Sequence, residues 1–312
     1  VAAVVVRVER EDLTLSRVVR EALDGIPWNK ARDLCRTGRV TLNDSVARDP
    51  EQRVDVGAEV KVDPTAPRQR RGVLPDEAIV HIDADVVVVN KPAGLMSVPF
   101  EEGDRDTLVD LTRAALRRKN TRGFDPDLSV VHRIDIDTTG LLMFTRSLEA
   151  KRHLQQQFRA HSVHRRYVAL VNGSLIGQTY ESLLIRDRGD GLRGSWGHFR
   201  RPKGKPPEDA QRAVTHVRLL ERLNGACLVE CALETGRQHQ IRIHLSEGGC
   251  PLVGERVYIR NFAGEPVAAP RPMLHARELG FVHPRTEEEM SFKLEPPDDF
   301  LACYEALGGE LA

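Results

Sequence analysis

The sequence lacks several features that would narrow its class at once. It has no net charge: 46 Lys and Arg balance 46 Asp and Glu over 312 residues. Overall charge therefore gives no sign of a polyanionic partner. It has no long apolar run at its start. Val1 to Val6 falls far short of the ~20 residues that span a bilayer, and no signal-type cleavage pattern follows. A cytoplasmic protein is the simplest expectation. It has no C-x-x-C pair among Cys35, Cys227, Cys231, Cys250 and Cys303. An odd number of cysteines in a reducing compartment points to free thiols. His161 and His164 have no cysteine partners, so a zinc site is not expected and ordinary surface histidines are.

What is present is enough for a sizeable core. The chain is 40% hydrophobic and 29% charged, and its length allows two domains. The charges are segregated. Arg113, Arg117, Arg118, Lys119 and Arg122 cluster in one stretch, Arg159, Arg165 and Arg166 in another, and Arg200, Arg201, Lys203 and Lys205 in a third. The end is acidic, with Glu287, Glu288, Glu289, Glu295, Asp298 and Asp299. A neutral total can hide a basic face for phosphates. The plainer alternative is ordinary solvated surface.

Along the chain, Leu15, Val18, Val19, Ala22 and Leu23 recur at helical spacing after a possible cap, Thr14. Pro27 opens a second helix with an apolar side of Ala31, Leu34 and Cys35, and Gly38 can close it. Lys30, Arg32, Arg36 and Arg39 lie largely off that stripe and are the candidate side chains for a polyanionic partner. Asn43-Asp44 marks a turn before short Val-rich strands near 54–56 and 60–62. Residues 64–78, with Pro64, Pro67, Pro75 and the run Arg68 to Arg71, read as a linker. A strand pair follows over 79–89. Thr107 and Ser147 are expected to cap helices, and strands are expected at 167–171, 213–220 and 227–233. Residues 186–212 are rich in Gly, Pro and Arg and are expected to form a long, basic, mobile loop. Residues 235–244 open a helix ended by Gly248-Gly249, although the alternation of Ile241, Ile243 and Leu245 also fits a strand.

One stretch organises the rest: Val130 to Ser147, VVHRIDIDTTGLLMFTRS. Apolar runs flank a polar centre of His132, Arg133, Asp135 and Asp137. A carboxylate at such a place is either neutralised or chemically useful. His-Arg-Ile-Asp-x-x-Thr-Thr-Gly resembles the H-R-L-D-x-x-[TS]-[ST]-G motif of the RluA family of RNA pseudouridine synthases, with Ile134 and Thr139 in place of the commoner Leu and Ser. Asn-Lys-Pro-Ala-Gly-Leu at 90–95, Arg165-x-Tyr167-x-Ala169, Thr-Gly-Arg-x-His-Gln-Ile-Arg at 235–242 and Leu274-His275-Ala276 resemble further family wording, in family order. The first 63 residues resemble an S-four-type RNA-binding domain; a helical dimerisation or capping module is the alternative.

The resemblance implies isomerisation of uridine within RNA without a cofactor. It places the catalytic aspartate at Asp135 and adds Tyr167 and Arg237. Tyr167 would lie against the base and is a candidate acceptor for the proton lost from carbon 5. Arg133 would help fill the space of the displaced nucleotide. His132, Leu233, His239 and Gln240 would line or brace the substrate site, and Asp137 would be structural. The residue types suit the chemistry, because a carboxylate can attack or stabilise a developing sugar cation, or remove a ribose proton. The implied fold is α+β: a mixed, largely antiparallel sheet with flanking helices over 79–312, preceded by a small α-rich RNA-binding domain over 1–63.

Two rivals use the same residues. A non-catalytic RNA-binding or ribosome-assembly factor needs no conjunction of Asp135, Tyr167 and Arg237. A two-carboxylate nucleosidase using Asp135 and Asp137 leaves the basic helices unexplained. Ribosomal RNA is the favoured target because of the N-terminal module, although Ser97-Val98-Pro99 resembles members that also act on transfer RNA. A monomer is expected.

Overall fold

The computed structural model describes residues 3–66, 73–99, 106–119, 127–199, 204–259 and 262–310. The basic positions Arg68 to Arg71, Arg122, Arg200, Arg201 and Lys203 lie outside the described residues. The chain divides into two compact units, Val1–Gly72 and Val73–Ala312.

In the first unit, helices Leu15–Ala22 and Trp28–Arg36 are amphipathic, as their spacing predicts. Val18 and Val19 meet Ala31, Leu34 and Cys35, and Val60 and Val62 close the same core. Thr14 takes the N-cap position of the first helix without a side-chain capping bond, and Pro27 precedes the second. Four strands form one sheet in the order Val4–Arg7, Glu59–Val62, Val40–Leu42, Ser45–Val46. Asn43 and Asp44 both have positive φ, the geometry of a two-residue hairpin turn.

In the second unit, one large sheet runs in the order Gly194–Ser195, Gln178–Ile185, Gln211–Arg222, Ala226–Leu233, His164–Asn172, Leu274–Val282, Thr139–Thr145, Val86–Lys91, Ile79–Ile82. Neighbours along it are antiparallel except where Thr139 and Gly140 pair in parallel with His275 and Ala276. Both faces are covered near the centre. Val87, Val89, Leu142 and Phe144 pack with Leu108, Ala115 and Leu116 of helix Leu108–Lys119. Val86, Val88, Leu141 and Met143 pack with Leu154 of helix Leu148–Arg159. Two-sided burial explains why these strands read as unbroken apolar runs. Ser147 caps its helix by accepting from the Ala150 N–H at 3.1 Å. Asp110 closes the start of the helix Leu108–Lys119 by accepting from both the N–H and the hydroxyl of Thr107.

Two expectations are corrected. The stretch 186–212 is not a featureless loop over its described part. Gly194–Ser195 pairs with the sheet, Leu192 is buried, and Gln211 already belongs to a strand. Arg188 bonds Asp190 and lies 4.1 Å over the Phe199 ring, contacts that leave no periodic trace in sequence. The second correction concerns 235–244, where the helix is Gln240–Glu247. Residues before it are held as a turn, because Gln240 Oε1 accepts from the Arg237 N–H and the Thr235 hydroxyl. Leu74 and Ala78, within the stretch read as a linker, are buried in the core of the second unit.

Candidate active site

Asp135 lies on the connection entering the strand Thr139–Thr145. Four successive carbonyls of this connection each receive a donor. Ile134 O accepts from the Ser97 hydroxyl at 2.7 Å, and Asp135 O from the Thr138 N–H at 3.2 Å. Ile136 O accepts from Lys91 Nζ at 2.7 Å, and Asp137 O from Arg271 Nη1 at 3.2 Å. The Ile134 N–H also donates to Ser97 Oγ. Lys91 is completely buried at the end of its strand and also donates to Pro92 O. Arg271 is held in turn by two bonds to Asp299. Just downstream, Gly140 has φ +107, and a Cβ there would stand 2.3 Å from Ala276 O. Only glycine lets the two strands meet so closely.

The Asp135 carboxylate is half-buried and has no hydrogen bond or ion pair among the described residues. Its charge acts on Tyr167, His239, Arg242 and Tyr258, which places those four groups around it. A pinned backbone carrying an uncommitted carboxylate is preorganised for chemistry on a bound partner.

Tyr167 sits in the strand His164–Asn172 at a register shift opposite Leu274–Val282. It is 6% exposed, with Ala169 and Val171 on the same face. Burial pushes its hydroxyl up to about 12, and nearby Asp135 adds to the rise while Arg165 opposes it. At neutral pH it is a phenol, and it can accept a proton only while giving up its own.

Arg237 does not form an ion pair with Asp135. Its Nε donates to Arg212 O at 3.1 Å, and its charge is felt by Arg165. Arg242, which feels the Asp135 charge, is buried in a paired contact with Glu255 at 2.7 and 2.8 Å. Arg242 holds Glu255 down at about 2 against the burial that would raise it. Gln240 is 2% exposed and uses its whole amide: besides Arg237 and Thr235, it donates to Val214 O and Thr215 Oγ1. His239 has φ +57 and bonds the Tyr258 hydroxyl through Nδ1 at 2.7 Å. Burial lowers it to about 4, so it is neutral.

His132 also braces. Its Nε2 accepts from the Met143 N–H at 3.0 Å, its ring stacks on Phe158, and burial helped by Arg165 lowers it to about 3. Arg133 next to it is exposed. Leu233 is half-buried against the core that holds Tyr167. Asp137 contributes its carbonyl to Arg271. In the first unit, Lys30 is exposed and Arg32 is 3.4 Å from Glu51. Arg36 is half-buried, and Arg39 donates to Ala66 O.

Sequence reasoning missed three supports. Ser97 and Lys91 lie in stretches read only as family wording, and a lysine closing a run of four valines is the one visible cue for burial. Arg165 was taken only as part of a motif. It is 8% exposed, donates to Glu234 O at 2.9 Å, and lies over Phe158.

Among the described residues, no helix is long and apolar enough to cross a membrane. Asp83, Asp85 and His283 form a tight acidic group, but its oxygens are already taken by Arg285, His81 and backbone N–H groups.

Comparison with known proteins places the chain in a family. The family model described as RNA pseudouridylate synthase matches residues 85–247, and the S4 domain model matches 16–60. A protein of Zymomonas mobilis named ribosomal large subunit pseudouridine synthase D is 33% identical over 305 residues, covering 94% of this chain and 93% of that protein. Its namesake in Pseudomonas aeruginosa is 35% identical over 279 residues, covering 85% and 83%. Among solved structures, human RNA pseudouridylate synthase domain containing 1 shares 25% identity at TM-score 0.55, covering 76% of this chain and 90% of that one. Human RNA pseudouridylate synthase domain containing 4, at 23% identity and TM-score 0.57, shares the fold over 75% and 94%. With an S4 match at 16–60 ahead of a synthase match at 85–247, the chain belongs to the RNA pseudouridylate synthase family, isomerases that act on RNA.

Proposed function

We propose that this protein converts specific uridines to pseudouridine in large-subunit ribosomal RNA, with Asp135 as the catalytic carboxylate. The observation that carries the reading is the uncommitted Asp135 side chain on a connection whose four carbonyls are all held. The names of the relatives favour ribosomal RNA over transfer RNA.

In this reading the RNA gives up the target nucleotide from its stack, at a cost of a few kcal/mol. Arg133, exposed beside the loop, fills the space left behind. Tyr167 lies along the base, with Leu233 behind it. Asp135 then either attacks the sugar or removes a ribose proton, and the freed uracil turns and rejoins through carbon 5, which gives up its proton while the nitrogen released from the sugar gains one. No bond is lost overall, so the reaction needs no redox partner. Arg237 meets the RNA backbone or the base rather than pairing with Asp135 in the free protein. His132, His239 and Gln240 hold these groups in place. Residues 1–63, with Lys30, Arg32, Arg36 and Arg39, supply RNA affinity, and 64–78 join them to the catalytic domain over 79–312. The protein works as a cytoplasmic monomer.

The test is pseudouridine mapping on total RNA from cells lacking the protein, restored with wild type or Asp135→Asn. The expected result is loss of one or a few ribosomal RNA sites, regained with wild type alone. An unchanged map would favour a non-catalytic RNA-binding factor. Sites lost from transfer RNA would move the target.

A further inference from the structure

The first unit keeps one large aromatic side chain in solvent. Trp28 is 42% exposed, opens the helix Trp28–Arg36, and is one of two tryptophans in the chain. It stands three positions before Ala31, on the same side of the helix, but outside the core that Ala31, Leu34 and Cys35 build. Exposed valines, such as Val5, Val46 and Val56 in the same unit, are ordinary surface. An exposed indole with cations around it is a different feature.

Two guanidinium groups approach the ring. Arg20 Cζ, from helix Leu15–Ala22, lies 5.1 Å from its centroid, and Arg32 Cζ lies 5.6 Å from it. Both are farther than the ~3.5–4.0 Å of a face-centred contact. The ring is therefore flanked rather than capped, and its remaining surface is open to a flat partner.

The two arginines differ. Arg32 is 3.4 Å from the Glu51 carboxylate, and Arg10 and Arg17 both pair with Glu21. Arg20 has no ion pair and no side-chain hydrogen bond among the described residues, although it is half-buried and its Nε is shut away from water. Withdrawing a guanidinium from water without an anion is unfavourable, and an arriving anion offsets it. Lys30 adds an exposed cation two positions past the indole.

A stacking surface beside an unpaired guanidinium suits a nucleotide, whose base takes the ring and whose phosphate takes the cation. The base must be unpaired, because within a duplex its faces are covered by its neighbours. A second copy of this chain fits less well, since two such faces would bring Arg20, Lys30 and Arg32 against their own kind.

We propose that Trp28 and Arg20 seat one unpaired nucleotide of the substrate RNA, with its base on the open part of the indole and its phosphate on the Arg20 guanidinium. The inference rests on the RNA-modifying reading above and deepens it. It adds two residues to Lys30, Arg32, Arg36 and Arg39, and it says which form of RNA the first unit reads: a bulge, loop or end rather than a continuous duplex. The site reads shape, since stacking tolerates every base.

The test uses the full chain carrying Trp196→Phe, so that Trp28 reports alone. Its fluorescence is followed while three RNA duplexes are titrated: one fully paired, one with a single bulged adenosine, and one whose bulge is abasic. Saturable quenching is expected with the bulged adenosine, and roughly tenfold weaker binding with the other two. The abasic duplex makes this comparison on one unchanged protein. Trp28→Ala should weaken binding of the bulged duplex about tenfold and leave the paired duplex within about twofold, while Trp28→Phe keeps most of the preference. Arg20→Gln should lower the slope of log affinity against log salt by about one, and Arg20→Lys should restore it. Equal quenching by all three duplexes, or a Trp28→Ala chain that still prefers the bulge, would overturn the proposal. Self-association seen by sedimentation and lost in Trp28→Ala would overturn it too, by giving the face to a second copy. The Trp196→Phe chain is also assayed for pseudouridine formation in ribosomal RNA. Isomerisation without stacking sinks this inference alone, and stacking without isomerisation sinks the functional reading alone.

Discussion

At the Asp135 connection the backbone is held and the side chain is bare; at the Arg237 turn the side chains hold one another. The four donors on the first come from Ser97, Thr138, Lys91 and Arg271, three of them remote in sequence. The second is local. Thr235, Arg237 and Gln240 bond within six positions, and Thr215 and Val214 supply the outer partners. The difference suits the roles proposed for the two residues. A group that reacts must stay unpaired and yet stay put, so its main chain takes the restraint. A group that contacts a varied partner can lean on a side-chain frame that adjusts.

The largest effect expected separates chemistry from scaffold. Asp135→Asn should cut pseudouridine formation about a thousandfold or more while leaving RNA affinity within a few-fold, measured by single-turnover assay and filter binding. Equal loss of both would mean that Asp135 holds the loop rather than reacts. Next comes the buried pair beneath the Arg237 turn. Glu255→Gln leaves Arg242 buried without its anion and should cost about 3–5 kcal/mol in urea unfolding. Gln240→Ala should loosen the turn itself, costing about 1–3 kcal/mol. Displacing Arg237 in that way should slow the reaction about a hundredfold. If the rate is untouched, the side-chain frame serves folding only. Ser97→Ala removes one of four restraints on the Asp135 connection and should cost about 1 kcal/mol, read as a small shift in the urea midpoint.

A pH dependence is shared by the two regions. His132 is lowered to about 3, and His239 and His244 to about 4, all by burial first. The unfolded chain binds these protons near 6.5 and the folded chain does not. Stability from this source is full above pH 6.5 and falls as pH drops toward about 4. Unfolding followed by circular dichroism across that window checks it, and His244→Gln should flatten the slope.

Much of this was legible beforehand, for particular reasons. The helices of the first unit follow from a plain stripe of Ala31, Leu34 and Cys35. The central strand follows from Leu141 to Phe144, buried on both faces. A charged cluster between apolar runs marked the stretch, because burying it is costly unless it is used; Asp135 within it was singled out by the resemblance of the motif to the family's. The donors to its loop were not, since Ser97 and Arg271 sit in proline-containing stretches without periodicity. Nor was the order within 186–199, which rests on Arg188 lying between Asp190 and Phe199. The pairing of Arg242 with Glu255, rather than Arg237 with Asp135, depends on where a left-handed His239 turns the chain into its helix.

The spread of those four donors also fixes when the site comes into being. A chain made from its N-terminus presents Lys91 and Ser97 first, then Asp135 itself, and Arg271 only more than a hundred residues later. Until that arginine and its partner Asp299 leave the ribosome, the carbonyl of Asp137 lacks its donor. The parallel strand that meets Gly140 is missing as well. The nascent protein thus carries the residue proposed to react long before it can aim it, and no N-terminal fragment that stops short of the strand Leu274–Val282 should modify RNA.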